Sequence, residues 1–332
     1  MVDHGGSLER ARSLFPDAPE PWIDLSTGIN PHPYPHQGLS ATAFSRLPEP
    51  KTAAALKASA AACYRAGSEK QVVAAPGTQI LLPGVMALVP PGRAAILSPT
   101  YAEHARTARL AGHEIRETER FADLGDADLA VVVNPNNPDG RLTSRDEMLE
   151  LAGRLARKGG LLVVDEAFMD ALPAEHSVAR DVDDAPLVVL RSFGKFFGLA
   201  GLRLGFAIAA DEIAARLEAQ LGSWAVSGPA IEIGSRALAD REWQSGMRAR
   251  LQVESRRLED LIQRSEPSAS GGTPLFRFMR HPEARRIFDT LGRQGILVRA
   301  FDRYPDALRF GLPGSEEEWT RVEAALALWL HR

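Results

Sequence analysis

A lysine stands between a glycine and two phenylalanines in the segment SFGKFFGLAGLRLG, which runs from Ser192 to Gly205. The chain has only five lysines among its 39 lysines and arginines, so Lys195 is unusual in this apolar setting. Apolar surroundings or nearby cations favour the neutral amine of a lysine, which can then form an imine with a carbonyl compound. The alternative is a loop lysine whose ammonium group reaches solvent.

The same segment contains groups that suit a phosphate. Ser192 lies three residues before Lys195, and Arg203 lies eight residues after it, among glycines that permit close backbone approach. A hydroxyl and a fixed guanidinium can bind one phosphate together. The spacing therefore favours a reactive lysine that works beside a bound phosphate.

This segment resembles the active-site lysine segment of the class I/II aminotransferases, which are fold type I enzymes with pyridoxal 5′-phosphate (PLP) as cofactor. Further motifs stand in the order that the family has: PGTQ (Pro76–Gln79), SPTY (Ser98–Tyr101), NPNNPDG (Asn134–Gly140), DEAF (Asp165–Phe168) and LRFG (Leu308–Gly311). The resemblance runs from about residue 20 to the end of the chain. It implies a PLP enzyme that acts on an amino-acid substrate and holds its cofactor on Lys195.

The resemblance implies three contacts to the cofactor's ring. Asp165 would pair with the pyridine nitrogen, and an anion there lets the ring accept electrons from the substrate's Cα. Asn137 would hydrogen-bond the ring oxygen, and Tyr101 would stack on the ring. The alternatives are a strand-end carboxylate that caps a turn, turn chemistry in an Asn/Pro/Gly-rich loop and ordinary aromatic packing.

The resemblance also implies where two anions bind. Gly77, Thr78 and Gln79 would offer N–H groups and a hydroxyl to the cofactor phosphate, because a helix N-terminus favours an anion. Arg309 would bind the substrate carboxylate. The alternatives are a simple helix start and a strand arginine in a surface ion pair.

Two positions depart from the family pattern. Phe168 stands beside the expected cofactor where many relatives carry a tyrosine whose hydroxyl adjusts the cofactor's electronics. Leu47, in RLPEP, stands where many relatives have a tyrosine that reaches the neighbouring subunit's cofactor phosphate. Both departures argue against ordinary transamination rates and leave PLP binding intact.

The N-terminal region carries a narrower resemblance. DHGGSL (Asp3–Leu8) and PWIDLSTGINPHPYP (Pro21–Pro35) are similar to segments of the cobalamin-pathway threonine-phosphate decarboxylases, which are relatives of the histidinol-phosphate aminotransferases. The similarity implies that His4, Asn30 and Arg299 bind the substrate's phosphate. The alternatives are a disordered terminal residue for His4 and turn chemistry before a proline for Asn30.

Together these resemblances imply decarboxylation of L-threonine O-3-phosphate to (R)-1-amino-2-propanol O-2-phosphate. A histidinol-phosphate-type aminotransferase is the alternative within the family. A non-catalytic PLP-binding module is the alternative from another class, and the intact lysine, aspartate and asparagine set argues against it. Relatives are homodimers with sites at the subunit interface, so a homodimer is expected.

Short apolar runs alternate with longer amphipathic stretches through the middle of the chain. The runs are rich in β-branched residues and lack clean alternation, which is typical of strands that are buried on both faces. They are Val72–Ala75, Ala94–Pro99, Leu129–Pro135, Leu161–Phe168, Leu187–Leu190 and Leu204–Ala209. Between them Thr143–Lys158 has a helical pattern with a capping signal at TSRDE. The alternation predicts an α/β domain with a mainly parallel sheet.

The pattern changes after about residue 210. Helices are predicted at Asp211–Leu221, Pro229–Ala239, Trp243–Arg264, Pro282–Gln294 and Glu316–Leu330. Strands are predicted at Leu275–Met279, Ile296–Arg299 and Leu308–Phe310. We therefore expect a large PLP-binding α/β domain at residues 40–215 and a small α+β domain made of residues 1–39 and 216–332.

Composition excludes several classes of protein. The net charge of −4 gives no reason to expect a nucleic-acid partner. The single cysteine, Cys63, permits no intrachain disulfide, and the N-terminus lacks the basic and apolar regions of a signal peptide. We expect a soluble cytoplasmic protein without a membrane span or a metal site, whose partner is a small phosphorylated amino acid.

Overall fold

The computed structural model describes residues 5–265 and 270–330. Its strands are β1 (Ile23–Asp24), β2 (Val72–Ala75), β3 (Arg93–Leu97), β4 (Glu114–Thr118), β5 (Leu129–Val133), β6 (Leu161–Asp165), β7 (Leu187–Ser192), β8 (Gly205–Ala209), β9 (Ser270–Thr273), β10 (Phe276–Arg280), β11 (Ile296–Leu297), β12 (Arg299–Phe301) and β13 (Tyr304–Gly311). Its α-helices are α1 (Leu8–Leu14), α2 (Pro50–Tyr64), α3 (Leu82–Met86), α4 (Glu103–Leu110), α5 (Arg145–Ala156), α6 (Phe193–Phe196), α7 (Asp211–Leu221), α8 (Gly228–Ala239), α9 (Arg241–Ser265), α10 (Ala284–Arg293) and α11 (Glu316–Leu330).

The chain divides into two compact units. The first contains residues 5–32, Pro138–Arg141, residues 246–265 and residues 270–330, and the second contains Pro33–Asn137 and Leu142–Ser245. These boundaries differ from the expected ones, because residues 33–39 and 216–245 belong to the second, larger unit. The helix α8 packs against α2, and α7 packs against β2, so long-range packing attaches this stretch to the large sheet.

The second unit is built on a mixed sheet with the order β2–β8–β7–β6–β5–β3–β4. The strands β7, β6, β5, β3 and β4 are parallel to one another, whereas β8 runs antiparallel to both of its neighbours, β2 and β7. Every residue of β5, β6 and β8 is buried, which is what their unbroken apolar sequences require. The expected α/β class with a mainly parallel sheet is therefore confirmed.

One strand of this sheet was not expected. The strand β4 has the sequence EIRET and forms the edge of the sheet beside β3, with only Thr118 buried. Charged side chains on an exposed edge strand discourage pairing with another chain, and they also remove the apolar pattern that identifies buried strands.

The helix α5 follows the capping signal in the sequence. The Ser144 side chain accepts from the Glu147 backbone N–H, and the Glu147 side chain accepts from the Ser144 backbone N–H. After the last turn, Gly159 takes a φ of 71°, which a glycine adopts without a steric penalty. The predicted helix is thus confirmed, shortened by two residues at each end.

The first unit contains a four-stranded antiparallel sheet with the order β12–β13–β10–β9 and a parallel pair of β1 with β11. The single strand predicted at Ile296–Arg299 is in fact divided between two sheets. Leu297 pairs with Asp24 in one sheet, and Arg299 pairs with Arg309 in the other. The helices α10 and α11 pack against each other, and α10 also packs against β13.

Within the described residues, no helix combines the length and apolar character that a membrane span requires.

Candidate active site

A cavity of about 220 Å³ in the second unit is lined by all ten residues that the sequence predicted to contact the cofactor. These are Gly77, Thr78, Gln79, Tyr101, Asn137, Asp165, Phe168, Ser192, Lys195 and Arg203. Most of them stand at the carboxyl end of a parallel strand or just beyond it. Asp165 is the last residue of β6, and Ser192 is the last residue of β7. In open α/β sheets this edge is the usual place for a ligand.

Asp165 is held by a histidine that sequence reasoning missed. His104 Nε2 lies 2.8 Å from Asp165 Oδ2, and the His104 side chain is fully buried. The Ala167 backbone N–H donates to Asp165 Oδ1 at 3.0 Å. With a proton on Nε2, His104 donates to Asp165 and keeps the carboxylate oriented in the cavity wall. No local signal in the sequence pointed to His104, because it is 61 residues away from Asp165 in the chain.

The loop after β2 and the loop before β8 approach each other closely. Gly77 has a φ of 88°, and a Cβ atom there would lie 2.5 Å from Arg203 Nη2. A Cβ atom on Gly205 would lie 2.6 Å from the Thr78 backbone nitrogen. Both positions therefore require glycine. Thr78–Ile80 forms a 3-10 turn before α3, so the predicted helix start is tighter than an α-helix.

Arg203 itself has an uncommon backbone conformation. Its φ of 53° lies in the left-handed region, which costs a residue with a Cβ atom free energy, and such positions cluster at functional sites. Its Nη1 donates to the Ala200 carbonyl at 2.9 Å, which directs the guanidinium toward Gly77. The result is a fixed cation beside backbone N–H groups, an arrangement that suits a phosphate.

The side chain of Gln79 orients the ring of Tyr101. Tyr101 Oη donates to Gln79 Oε1 at 3.2 Å, and Gln79 Nε2 donates to Glu103 Oε2 at 3.0 Å. Burial, followed by the nearby carboxylates of Glu103 and Asp165, raises the pKa of Tyr101 to about 12. The phenol is therefore neutral at physiological pH, and its ring can stack on a cofactor without carrying a charge.

Lys195 lies on the short helix α6, which aromatic contacts hold in place. The rings of Phe193 and Phe197 stack with their centroids 4.3 Å apart, and Phe196 meets Trp243 edge to face at 5.6 Å. Lys195 Nζ lies 5.4 Å from the centroid of the Phe168 ring. This lysine is half-buried, with the Phe168 ring as an apolar neighbour in a cavity that also contains Asp165 and Arg203.

A buried ionic cluster lies behind the cavity wall. Arg191 precedes Ser192, and Glu166 follows Asp165; Arg191 Nη1 donates to Glu166 Oε2 at 2.7 Å. Arg191 also pairs with buried Asp170. Burial raises the pKa of Glu166 even though Arg191 opposes the shift. This cross-strand pairing ties the ends of β6 and β7 together, and so fixes the spacing of Asp165 and Ser192.

Three of the four residues predicted to bind the substrate, Asn30, Arg299 and Arg309, belong to the first unit. Arg299 and Arg309 are directly paired across β12 and β13, and Arg309 Nη2 donates to the Ser26 carbonyl at 2.6 Å. Asn30 is buried, and its Oδ1 accepts from the His32 backbone N–H at 2.9 Å, which is turn chemistry. His4 lies outside the described residues.

The cavity fits PLP. Because Gly77 and Gly205 carry no side chain, backbone N–H groups and Arg203 lie close together and can bind a phosphate. Asp165 provides a buried, oriented carboxylate for a pyridinium nitrogen. Lys195 supplies an amine in the same cavity, and Tyr101 and Phe168 supply flat apolar faces. Each group of the cofactor thus has a chemically matched residue.

Comparison with known proteins agrees with this geometry. Residues 20–326 match the family of class I and II aminotransferases. A threonine-phosphate decarboxylase from Pseudomonas aeruginosa is 43% identical over 98% of this chain and 97% of that protein, and one from a Sinorhizobium species is 39% identical over 98% of each. The solved structure of histidinol-phosphate aminotransferase from Sinorhizobium meliloti in complex with pyridoxal-5′-phosphate has a TM-score of 0.83, at 20% identity, over 100% of this chain and 95% of that one. The chain therefore belongs to the class I and II aminotransferase family.

Proposed function

We propose that this chain is a PLP-dependent lyase that decarboxylates L-threonine O-3-phosphate to (R)-1-amino-2-propanol O-2-phosphate, in cobalamin biosynthesis. The observation that carries the proposal is the 43% identity to the Pseudomonas aeruginosa threonine-phosphate decarboxylase along nearly the full length of both chains. The complete set of predicted cofactor residues around one cavity supports it.

Several residues of the cavity would hold the cofactor. Lys195 would be the point of covalent attachment, and Ser192, Thr78 and Arg203 would bind the phosphate. Asn137 donates to the ring oxygen. When bound, PLP supplies an electron sink for the pair that is released at the substrate's Cα.

Asp165 keeps the pyridine nitrogen protonated, and the buried His104 holds this carboxylate in position. Lys195, whose amine lies in the same cavity, would be the group that moves a proton at the substrate's Cα. These two residues therefore serve the electronic and the proton-transfer parts of the reaction.

The substrate's two anions are matched by two arginines of the first unit. Arg309 binds the carboxylate, and Arg299 binds the phosphate, with His4 and Asn30 as further candidates. Burial, together with the nearby Arg299, lowers the pKa of Arg309 to about 9, so the guanidinium remains a cation at neutral pH. A bound anion would relieve the cost of placing two cations close together.

A histidinol-phosphate aminotransferase is the alternative reaction. The Sinorhizobium meliloti structure has that activity in its name, but at 20% identity it is evidence for the fold alone. Asp165, Asn137 and Lys195 are common to both reactions and do not discriminate between them.

We also propose a cytoplasmic homodimer. In the second unit, the large apolar side chains of Phe44, Leu47 and Trp224 are 79%, 64% and 61% exposed. All three line one broad surface depression, together with Leu202. An apolar patch of this kind is typical of a protein interface.

One experiment tests the reaction directly. Purified holoenzyme is incubated with L-threonine O-3-phosphate and, separately, with histidinol phosphate and 2-oxoglutarate. We expect CO₂ and an aminopropanol phosphate from the first mixture, identified by mass spectrometry. Glutamate from the second mixture, without CO₂ from the first, would establish the aminotransferase instead.

A further inference from the structure

We infer that segment 5–7 determines the affinity for the substrate's carboxylate, because it packs on Ser26, whose carbonyl holds the Arg309 guanidinium. Ser26 is thus a positioning residue, since it acts on the ligand through Arg309. The inference deepens the proposed decarboxylase function and rests on its assignment of Arg309 to the carboxylate. The resemblance of the N-terminal motifs implied a contact with the substrate's phosphate alone.

Ser26 is bonded on one side to segment 5–7 and on the other to the guanidinium. Its carbonyl accepts from Arg309 Nη2 at 2.6 Å, and its hydroxyl oxygen accepts from the Gly6 backbone N–H at 2.7 Å. Asp24 Oδ1 accepts from the Ser26 backbone N–H at 2.8 Å and from the Ser26 hydroxyl at 2.6 Å. Ser26 is 1% exposed, so little water competes for these bonds.

The close approach of this segment requires glycine at two positions. A Cβ atom on Gly5 would lie 2.5 Å from the Ser26 carbonyl oxygen, the same atom that accepts from Arg309. Gly6 has a φ of 90°, and a Cβ atom there would lie 3.1 Å from Thr27 Cγ2. An alanine at residue 5 would therefore displace either the segment or the carbonyl. In the first case water reaches the carbonyl and competes with Arg309, and in the second the bond itself is distorted.

The backbone next to Ser26 is tied to the strand that carries Arg309. The Leu25 backbone N–H donates to the Leu297 carbonyl at 2.8 Å, and the Gly311 backbone N–H donates to the Leu25 carbonyl at 2.6 Å. Two successive carbonyls, those of Leu25 and Ser26, thus accept from residues of β13. The backbone bonds remain when the Ser26 hydroxyl is removed, so its loss changes the orientation of residue 26 rather than the fold of the sheet.

Arg309 depends on a fixed acceptor because it is a desolvated cation. It is 5% exposed and lies directly opposite Arg299, while the Asp24 carboxylate favours its charged form. A guanidinium that is held on one side presents its remaining N–H groups to a carboxylate in one orientation. Weaker hold by the Ser26 carbonyl leaves that orientation less defined, and the affinity for the carboxylate falls.

Segment 5–7 also borders the space beside the arginine that we assign to the phosphate. Gly5, Gly6, Ser26 and Arg299 line one cavity of about 480 Å³ in the first unit. Substitutions in the segment therefore change the surroundings of the phosphate as well. For this reason the effect on the carboxylate is measured against a ligand that keeps the phosphate and lacks the carboxylate.

Two ligands that differ only in the carboxylate provide the test. The absorption change of the holoenzyme on rapid mixing, before turnover, gives the affinity for L-threonine O-3-phosphate and for (R)-1-amino-2-propanol O-2-phosphate. We expect the ratio of the first affinity to the second to fall about fivefold in Gly5→Ala. Ser26→Ala should lower the ratio in the same direction, because it releases both Gly6 and Asp24. An unchanged ratio in both variants, including an equal loss of both affinities, would overturn the inference.

Matched controls exclude a general effect of the substitutions. Gly246→Ala adds a methyl group in α9 with no atom within 4 Å, and Ser13→Ala removes an exposed hydroxyl that donates to the Glu9 carbonyl. Both should keep the wild-type ratio. Circular dichroism verifies that each variant is folded, and Ser26→Ala carries the test if Gly5→Ala is not.

The failure of this inference is distinguishable from the failure of the proposed function. Arg309→Ala should lower the same ratio, and an unchanged ratio there would refute the assignment of the carboxylate to Arg309. A lowered ratio in Arg309→Ala with unchanged ratios in Gly5→Ala and Ser26→Ala would refute only the role of segment 5–7. The release of CO₂ by the wild type tests the reaction separately, because the affinities are measured before turnover.

Discussion

Arg299 on β12 and Arg309 on β13 lie directly opposite each other in an antiparallel pair, so their side chains project from the same face of the small sheet. Arg309 is 5% exposed, and the Arg299 guanidinium contributes to the lowering of its pKa to about 9. Two cations held side by side, one of them desolvated, form a site that an anion stabilises.

We expect Arg299→Ala to weaken the binding of L-threonine O-3-phosphate, because it removes a charge-assisted contact worth roughly 1.5–3 kcal/mol, or about ten- to a hundredfold in affinity. The cofactor's visible spectrum should stay unchanged. Titration calorimetry measures the affinity, and Arg280→Ala, an exposed arginine of the same sheet, is the control. Wild-type affinity in Arg299→Ala would remove this residue from the substrate site.

We expect the purified protein to have the visible absorption of a lysine-bound PLP. Reduction with borohydride should then fix the cofactor on the peptide that contains Lys195, because this amine lies in the cavity with the predicted cofactor residues. Peptide mapping by mass spectrometry gives the position, and Lys195→Ala should give no adduct. An adduct on one of the other four lysines would contradict the central assignment.

We expect His104→Leu to reduce PLP affinity by about tenfold or more. The substitution removes a buried hydrogen bond to the Asp165 carboxylate, and a bond to a charged group is worth about 1.5–3 kcal/mol. Equilibrium dialysis of PLP measures the change. His176→Ala is a histidine control outside the cavity lining. Unchanged affinity in His104→Leu would show that Asp165 is held adequately by the backbone alone.

We expect Gly77→Ala and Arg203→Ala to weaken the binding of PLP more than that of pyridoxal, which lacks the phosphate. A Cβ atom on Gly77 would displace the Arg203 guanidinium, so both variants disturb the same charge. Fluorescence titration measures both affinities, and the ratio of the affinity for PLP to the affinity for pyridoxal should fall at least tenfold. Gly153→Ala is the matched control, because no atom lies within 4 Å of the added methyl. An unchanged ratio would place the phosphate elsewhere.

We expect a homodimer in sedimentation experiments, which Phe44→Asp or Trp224→Asp should weaken. Each substitution introduces a carboxylate into the exposed apolar patch, and burying it at an interface without a partner is costly. Leu110→Asp, at a leucine that is 72% exposed on α4, is the control. A wild-type protein that sediments as a monomer at micromolar concentration would refute the dimer.

The sequence by itself determined the fold class, the buried strands of the large sheet and the set of residues that lines the cavity. Unbroken apolar runs such as Leu129–Val133 predict strands that are buried on both faces, and the Ser144 capping box predicts the start of α5. Lys195 stood out because the chain has only five lysines and this one stands between Gly194 and Phe196. These signals are local, so no knowledge of distant contacts was needed to find them.

Only the tertiary structure decided the relationships between distant segments. His104 is 61 residues from Asp165 in sequence, and no periodicity shows that its ring meets that carboxylate. The edge strand β4 has no apolar pattern, because solvent covers much of it. The run Ile296–Arg299 is divided between two sheets because β1 pairs with Ile296 and Leu297, whereas β13 pairs with Arg299. The local sequence determines which secondary structure a segment can form. The packing of segments that are distant in the chain determines which long-range contacts that segment makes.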